Sequence, residues 1–118
     1  MLLIRDSNKI VQEAVVDSPK ITEGEIEAFC KMRNLPEELL RKIARNGEWM
    51  KLLPIARALA TNPKTPVGVA LPLVSRLTDF DLKNLLRDKN VSELVRREAK
   101  KIYEIRHTPR QTSFKKKG

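Results

Sequence analysis

Apolar residues recur at three- and four-residue steps along most of the chain, a spacing that places them on one face of a helix. No stretch alternates apolar and polar residues for long enough to predict a strand. The pattern predicts helices over residues 9–16, 26–33, 36–45, 49–60, 66–77, 80–89 and 92–106. We expect a kink or break at Pro54 and Pro72, because proline lacks the backbone N–H that a helix interior needs. A short helix over 48–51 with a second one starting at Pro54 is the alternative for the fourth stretch.

Several helix ends carry a recognisable signal. Thr22 and Glu25 have the spacing of a capping box before the second helix. Thr78 and Asp79 are residue types that commonly cap the N-terminus of a helix, so they predict a cap before residue 80. Asn46–Gly47 is expected to end the third helix, because both residues tolerate the left-handed conformation of a C-cap.

Asparagine recurs with a period of 28 residues, at Asn34, Asn62 and Asn90, and Asn8 opens a weaker copy. We interpret each asparagine as the N-cap of a helix, with Thr65–Pro66 as an alternative start in the second full copy. Each copy has room for two helices, which cannot bury an apolar face alone. Stacked copies bury one another, so the repeat predicts a row of helical hairpins. A closed bundle whose helices carry similar caps is the alternative.

Residues 62–66 (NPKTP) and 89–92 (KNVS) lie within short leucine-rich helix pairs and resemble bacterial HEAT-like repeats. They are also similar to the leucine-rich variant repeat. Residues 43–49 and 58–63 resemble a group of small bacterial proteins of this kind whose function is uncharacterised. The resemblance covers residues 8–105 and implies a binding scaffold, some members binding nucleic acid; it carries over no functional residue. We therefore predict an all-α fold, a short right-handed α-solenoid of stacked helical hairpins with about six to eight helices.

A single helical-repeat domain over residues 1–106 and a flexible basic tail over residues 107–118 are the expected organisation. The tail is polar and basic with one large apolar residue, Phe114, too little to offset the entropy of ordering. The first residues lack the basic region and apolar core of a signal peptide. The most apolar window, residues 66–74, is far shorter than the roughly 20 residues of a membrane helix. These features predict a cytoplasmic protein that does not contact a membrane.

Residues able to carry enzyme chemistry are sparse. Cys30 is the single cysteine, and its apolar neighbours predict a buried, inert thiol. His107 is the single histidine and falls in the predicted tail, where we expect a solvated side chain. The glycines are scattered and form no phosphate-binding loop. We therefore predict that the protein is not an enzyme, and we expect no cofactor and no metal site.

Positive charge is concentrated in the centre and C-terminal part of the chain. The net charge is +9, made up of −3 over residues 1–30, +6 over 31–90 and +6 over 91–118. This asymmetry indicates an anionic partner, although a solvated outer helix face is the alternative. The candidate phosphate contacts are Arg33, Arg41, Lys42, Arg45, Arg96, Arg97, Lys100, Lys101, Lys115, Lys116 and Lys117.

Three functions fit these features. The repeat favours a binding scaffold for protein–protein interaction, whose apolar or mixed concave face takes a helix or an extended segment. Trp49, the single tryptophan, is then either a candidate partner anchor or a residue packed at a helix junction. The alternative is a nucleic-acid-binding protein that contacts phosphates, and an aromatic content of 4% argues against base stacking on single strands. The third is an all-α subunit whose role is assembly. We predict the scaffold, and leave the identity of the partner and the oligomeric state open.

Overall fold

The structure is a computed structural model that describes residues 8–108. Over this range every regular element is a helix and no strand occurs, which confirms the predicted all-α class. Residues 1–7 and 109–118, the latter holding most of the predicted tail, lie outside the described residues. The helices are α1 (Lys9–Val16), α2 (Glu23–Cys30), α3 (Glu37–Ala44), α4 (Gly47–Met50), α5 (Leu53–Thr61), α6 (Val67–Val74), α7 (Asp79–Arg87) and α8 (Glu93–His107).

Three of the predicted caps are confirmed. Asn8 precedes α1, and its Oδ1 accepts from two backbone N–H groups of the first turn, the shorter bond being 2.8 Å. Thr22 and Glu25 form the capping box of α2, with reciprocal bonds of 3.1 Å and 3.0 Å. Thr78 accepts from the first turn of α7 at 3.2 Å. Each cap satisfies backbone donors that the helix itself leaves unpaired.

Asn34 and Asn90 do not cap helices, so the prediction was wrong at both positions. Both are exposed, and α3 and α8 begin three residues after them. The residues that follow them, Leu35 and Val91, are buried in the core. Because these two side chains are drawn inward, the chain stays extended for one more residue, and that residue takes the N-cap position in each case.

Asn62 is also misassigned: it is the C-cap of α5, and its side chain is buried. Its Nδ2 donates to the backbone carbonyls of Cys30 at 2.7 Å and Met32 at 2.8 Å. Helix α6 instead begins after Pro66, which occupies the N-cap position in an extended conformation. The alternative cap, Thr65, is wrong too, because its buried hydroxyl makes no hydrogen bond. Asn62 therefore links two loops that lie a full repeat apart.

The stretch predicted over residues 49–60 consists of two helices, α4 and α5, which confirms the alternative of a short helix followed by a second one near Pro54. The predicted left-handed C-cap at Asn46–Gly47 is wrong: α3 ends on Arg45 in the right-handed conformation, and Asn46 caps α4 by accepting from Trp49 N at 3.1 Å. The break near Pro54 is confirmed, since α5 begins one residue earlier and has this proline in its first turn. Helix α6, in contrast, continues past Pro72 without a break.

Two buried clusters form the interior. The first comes from α1, α2, α3 and α5 with the loop before α3, and comprises Val16, Ile26, Phe29, Cys30, Leu35, Leu39, Leu40, Ile43, Ile55, Ala58 and Leu59. The second comes from α5 to α8 with adjoining loop residues, and comprises Ala60, Ala70, Val74, Leu77, Leu82, Leu85, Val91, Val95 and Ala99. Leu73 of α6 packs against both clusters. Helix α5 supplies members to each, so the two clusters adjoin along this helix.

Corresponding helices of successive predicted hairpins pack on one another: α1 on α3, α2 on α5, and α6 on α8. Consecutive helices α5 and α6, and α7 and α8, also pack together. Three connections join one predicted hairpin to the next, over residues 31–36, 62–66 and 88–92. We call these the inter-hairpin loops, because they hold the three repeated asparagines.

Arg106 fastens the last turn of α8 to the turn between α6 and α7. Its Nη1 donates to the carbonyl of Leu77 at 2.8 Å and to Asp79 Oδ1 at 3.0 Å, and its Nη2 donates to the carbonyl of Ser75 at 2.9 Å. His107, which we expected in the tail, is the last residue of α8, and its Nε2 lies 3.0 Å from Asp79 Oδ2. Helix α8 therefore ends in a small polar cluster.

Asp79→Asn is expected to change how stability depends on acid. The hydrogen bond from Arg106 is the main cause that lowers the pKa of Asp79 below its ordinary value of 3.8, and His107 lowers it further. Because this pKa is lower in the folded state than in the unfolded state, the carboxylate stabilises the fold at pH values above its ordinary pKa. That contribution is lost as pH falls through the folded-state pKa.

Urea unfolding between about pH 6 and about pH 2.5 tests this sign. Asp79→Asn should be less stable than the wild type at the upper pH, and the difference should shrink in acid. Arg106→Gln, which removes the main cause of the lowered pKa, should show the same trend. A difference between Asp79→Asn and the wild type that stays constant over the whole range contradicts the assignment.

Candidate binding surfaces

The predicted basic residues of α3 differ in how far their charge is compensated. Lys42 Nζ lies 3.0 Å from Asp17 Oδ2, and Arg41 Nη2 lies 3.8 Å from Glu37 Oε1. Arg45 is exposed and makes no ion pair within residues 8–108. Arg41 and Arg45 share a side of the helix, as predicted, and both line a groove of about 330 Å³ with apolar residues of α3, α4 and α6. Arg45 is thus the least compensated cation of this group.

Four of the predicted cations lie on α8: Arg96, Arg97, Lys100 and Lys101. Arg96 is half-buried, and its Nη1 donates to the carbonyls of Val91 at 2.7 Å and Asp88 at 3.2 Å. It therefore holds the third inter-hairpin loop in place. The other three are exposed and form no ion pair in the described part of the chain. Lys115, Lys116 and Lys117 lie outside the described residues.

A pocket of about 370 Å³ collects residues from all three inter-hairpin loops. Its lining is Arg33 from the first loop, Pro63 and Lys64 from the second, and Asn90 from the third. Sequence analysis selected Arg33 but missed Lys64 and Asn90. The sequence contains one signal for this pocket: a basic residue precedes the repeated asparagine in the first and third loops. That the three loops meet is visible only in the fold.

An apolar groove of about 570 Å³ lies between α1 and α2. Its floor and walls are aliphatic, and Lys20 and Glu25 add one charge of each sign. Ile10, on α1, is 78% exposed. The apolar residues that line it are Ile10, Val11, Ala14, Val15 and Ile21. Exposed aliphatic side chains gathered around a groove are typical of an interaction site.

Trp49 lies on α4 and is half-buried. It packs against the first core cluster and also lines a groove of about 440 Å³ together with Arg45 and residues of α1 and the α1–α2 connection. Packing at a helix junction is therefore observed. Its role as a partner anchor stays a prediction.

The cysteine is buried, as predicted. Burial raises the pKa of the Cys30 thiol to about 12, and the nearby charge of Glu27 adds to the shift. The thiol is therefore protonated at neutral pH and is a poor nucleophile. Between residues 8 and 108, no group of three or more His, Cys, Asp or Glu side chains is placed to hold a metal ion.

None of the helices in residues 8–108 combines the length and apolar character needed to cross a bilayer.

No family model, curated protein or solved structure matches this chain. The likeness to HEAT-like repeats therefore stays a prediction that rests on the repeated phrases. Function has to be argued from the surfaces described above.

Proposed function

We propose that this protein is a non-enzymatic helical-repeat scaffold that binds a segment of another protein. The observation that carries the proposal is the apolar groove between α1 and α2, in a chain whose predicted hairpins pack through corresponding helices. Packing between corresponding helices, α1 on α3, α2 on α5 and α6 on α8, is the arrangement expected of stacked hairpins and supports a short α-solenoid. Its right-handed sense is the expectation carried by the HEAT-like resemblance.

The dimensions and chemistry of the groove suit an amphipathic helix. Helix α1 has eight residues and is therefore about 12 Å long, which matches two turns of a partner helix. The lining is aliphatic, so it suits the apolar stripe of such a helix, with anchors at three- and four-residue steps. Lys20 and Glu25 can each pair with an opposite charge beside that stripe.

Ala14→Glu is expected to abolish binding at the groove. Ala14 is exposed and lines the groove, so a carboxylate there opposes an apolar partner while leaving the core intact. Asn84→Glu, at an exposed helical position on α7, introduces the same side chain away from the groove and serves as the control. Partners retained from nuclease-treated lysate are identified with the wild type, and their affinity is then measured by calorimetry. We expect at least a tenfold loss for Ala14→Glu and less than about twofold for the control.

Equal retention by both variants and the wild type contradicts the proposal. Partners that disappear after nuclease treatment also contradict it, because they indicate that nucleic acid mediates their capture.

Nucleic-acid binding is the second candidate function. The specific observation in its favour is a set of exposed cations on α7 and α8 that form no ion pair within residues 8–108: Lys83, Arg87, Arg97, Lys100 and Lys101. Uncompensated cations increase the affinity for a nucleic acid, because their contacts release the counterions condensed on its phosphates. This candidate predicts an affinity that falls steeply with salt.

A further inference from the structure

We propose that the pocket between the three inter-hairpin loops binds the phosphate backbone of a single-stranded nucleic acid. Arg33, Lys64 and Asn90 line it, each from a different loop. The inference rests on the second candidate function and gives it a binding site distinct from the cations of α8. The reasons are the rigidity of the loops, their uncompensated charge and their repetition.

The backbone of the pocket is fixed by hydrogen bonds within the protein. Asn62 Nδ2 ties the first loop to the second through the carbonyls of Cys30 and Met32. Asn62 Oδ1 accepts from Lys64 N at 2.8 Å, which positions the backbone of a lining residue. Arg96 holds the third loop through two of its carbonyls. Because these loops are already ordered, binding a ligand costs less conformational entropy.

The charge of the loops is positive and largely uncompensated. Residues 31–36, 62–66 and 88–92 hold four basic residues and one acidic residue. Lys31 is paired with Glu27 at 3.1 Å, and the acidic residue, Asp88, accepts from the backbone N–H of Asn90 at 2.9 Å. The other three basic side chains are exposed and make no ion pair in the described part of the chain: Arg33, Lys64 and Lys89. An anion entering the pocket therefore meets unpaired guanidinium and ammonium groups.

The repetition favours a polymer over a single phosphate group. Each loop supplies one exposed, unpaired cation, and two of them, Arg33 and Lys64, line the pocket together, which suits a chain that carries a phosphate on every unit. The loops contain no aromatic residue, so contact with the backbone is favoured over base stacking. The pocket lining contains two cations, Arg33 and Lys64, which suits the phosphates of one strand. We therefore expect binding without sequence preference.

The test measures fluorescence anisotropy of a labelled oligothymidylate of about 20 nucleotides, long enough to span one site, with the full chain over a range of salt concentrations. The pocket variant is Arg33→Gln with Lys64→Gln. The control, Lys9→Gln with Lys51→Gln, removes two exposed positive charges elsewhere. A third variant, Arg97→Gln with Lys101→Gln, removes two exposed positive charges from α8.

We expect the pocket variant to bind oligothymidylate at least tenfold more weakly than the wild type, and the control to lose less than about twofold. The slope of log affinity against log salt should fall by about 0.7 for each phosphate that the variant no longer neutralises.

Arg33→Lys with Lys64→Arg keeps both charges, and its recovery of binding separates a charge effect from a folding defect. No binding of oligothymidylate by the wild type overturns the inference. Equal losses in the pocket variant and the control overturn the inference. A loss confined to the α8 variant overturns the pocket but leaves nucleic-acid binding standing on α8. A phosphoserine peptide that binds the pocket while oligothymidylate does not bind there also overturns the inference.

Discussion

Asn62→Ala is expected to lower the free energy of unfolding by about 2–4 kcal/mol, because it leaves two backbone carbonyls without their partner. The substitution removes the bonds from Nδ2 to the carbonyls of Cys30 and Met32, at 2.7 Å and 2.8 Å, and the bond that Oδ1 accepts from Lys64 N at 2.8 Å. Asn62 is only 4% exposed, so water cannot easily replace the side chain. The cost of an unsatisfied buried group exceeds the net gain of forming an ordinary hydrogen bond.

The repeat itself provides matched controls for this prediction. Asn34 and Asn90 stand 28 residues to either side of Asn62, but both are exposed and neither makes a side-chain hydrogen bond within residues 8–108. Asn34→Ala and Asn90→Ala should each change stability by less than about 0.5 kcal/mol. Urea unfolding of the three variants followed by circular dichroism measures the contrast. Similar losses at all three positions contradict the assigned role of Asn62.

Phe29→Ala is expected to cost about 3–5 kcal/mol, the usual range for truncating a buried phenylalanine. Phe29 lies on α2, is fully buried, and is the largest fully buried side chain of the described residues. Its removal loses the transfer free energy of the ring and leaves a cavity between α2 and the helices packed on it. A loss of this size is a large fraction of the roughly 5–15 kcal/mol that stabilises a typical domain.

Phe80→Ala is the matched control, because Phe80 is 72% exposed on α7. Its truncation should change stability by less than about 0.5 kcal/mol. Thermal and urea unfolding of both variants, compared with the wild type, measures the difference. Equal costs for the two phenylalanines contradict the placement of α2 against the core.

Local features were predictable where they depend on a few neighbouring residues. The bounds of α1 and the capping box of α2 follow from hydrophobic spacing and from side chains that bond within one turn. The start of α5 near Pro54 follows from the missing N–H of that residue. The all-α class of the described residues was predictable from such local signals.

The repeated asparagines show where local signals fail. An asparagine at a loop is equally suited to capping a helix and to bonding a distant backbone. Asn62 does the second, with carbonyl partners 30 and 32 residues earlier in the chain. Leu35 and Val91 are buried just before α3 and α8, which moves both helix starts beyond the neighbouring asparagines. These outcomes depend on packing between hairpins.

The candidate sites show a similar division. Sequence identifies which residues are cationic, but their availability depends on neighbours that only the fold supplies. Lys42 is paired with Asp17 from outside its own helix, and Arg96 is engaged with carbonyls of a loop. Lys64 becomes a candidate phosphate contact only because the fold places it in the same pocket as Arg33.

Leu73 of α6 joins the two halves of the interior. This side chain touches both buried clusters, and α5 contributes members to each of them. The interior is therefore continuous across the 28-residue boundaries that the sequence marks. The sequence period marks similar helix and loop segments, whereas the packed interior extends across more than one period.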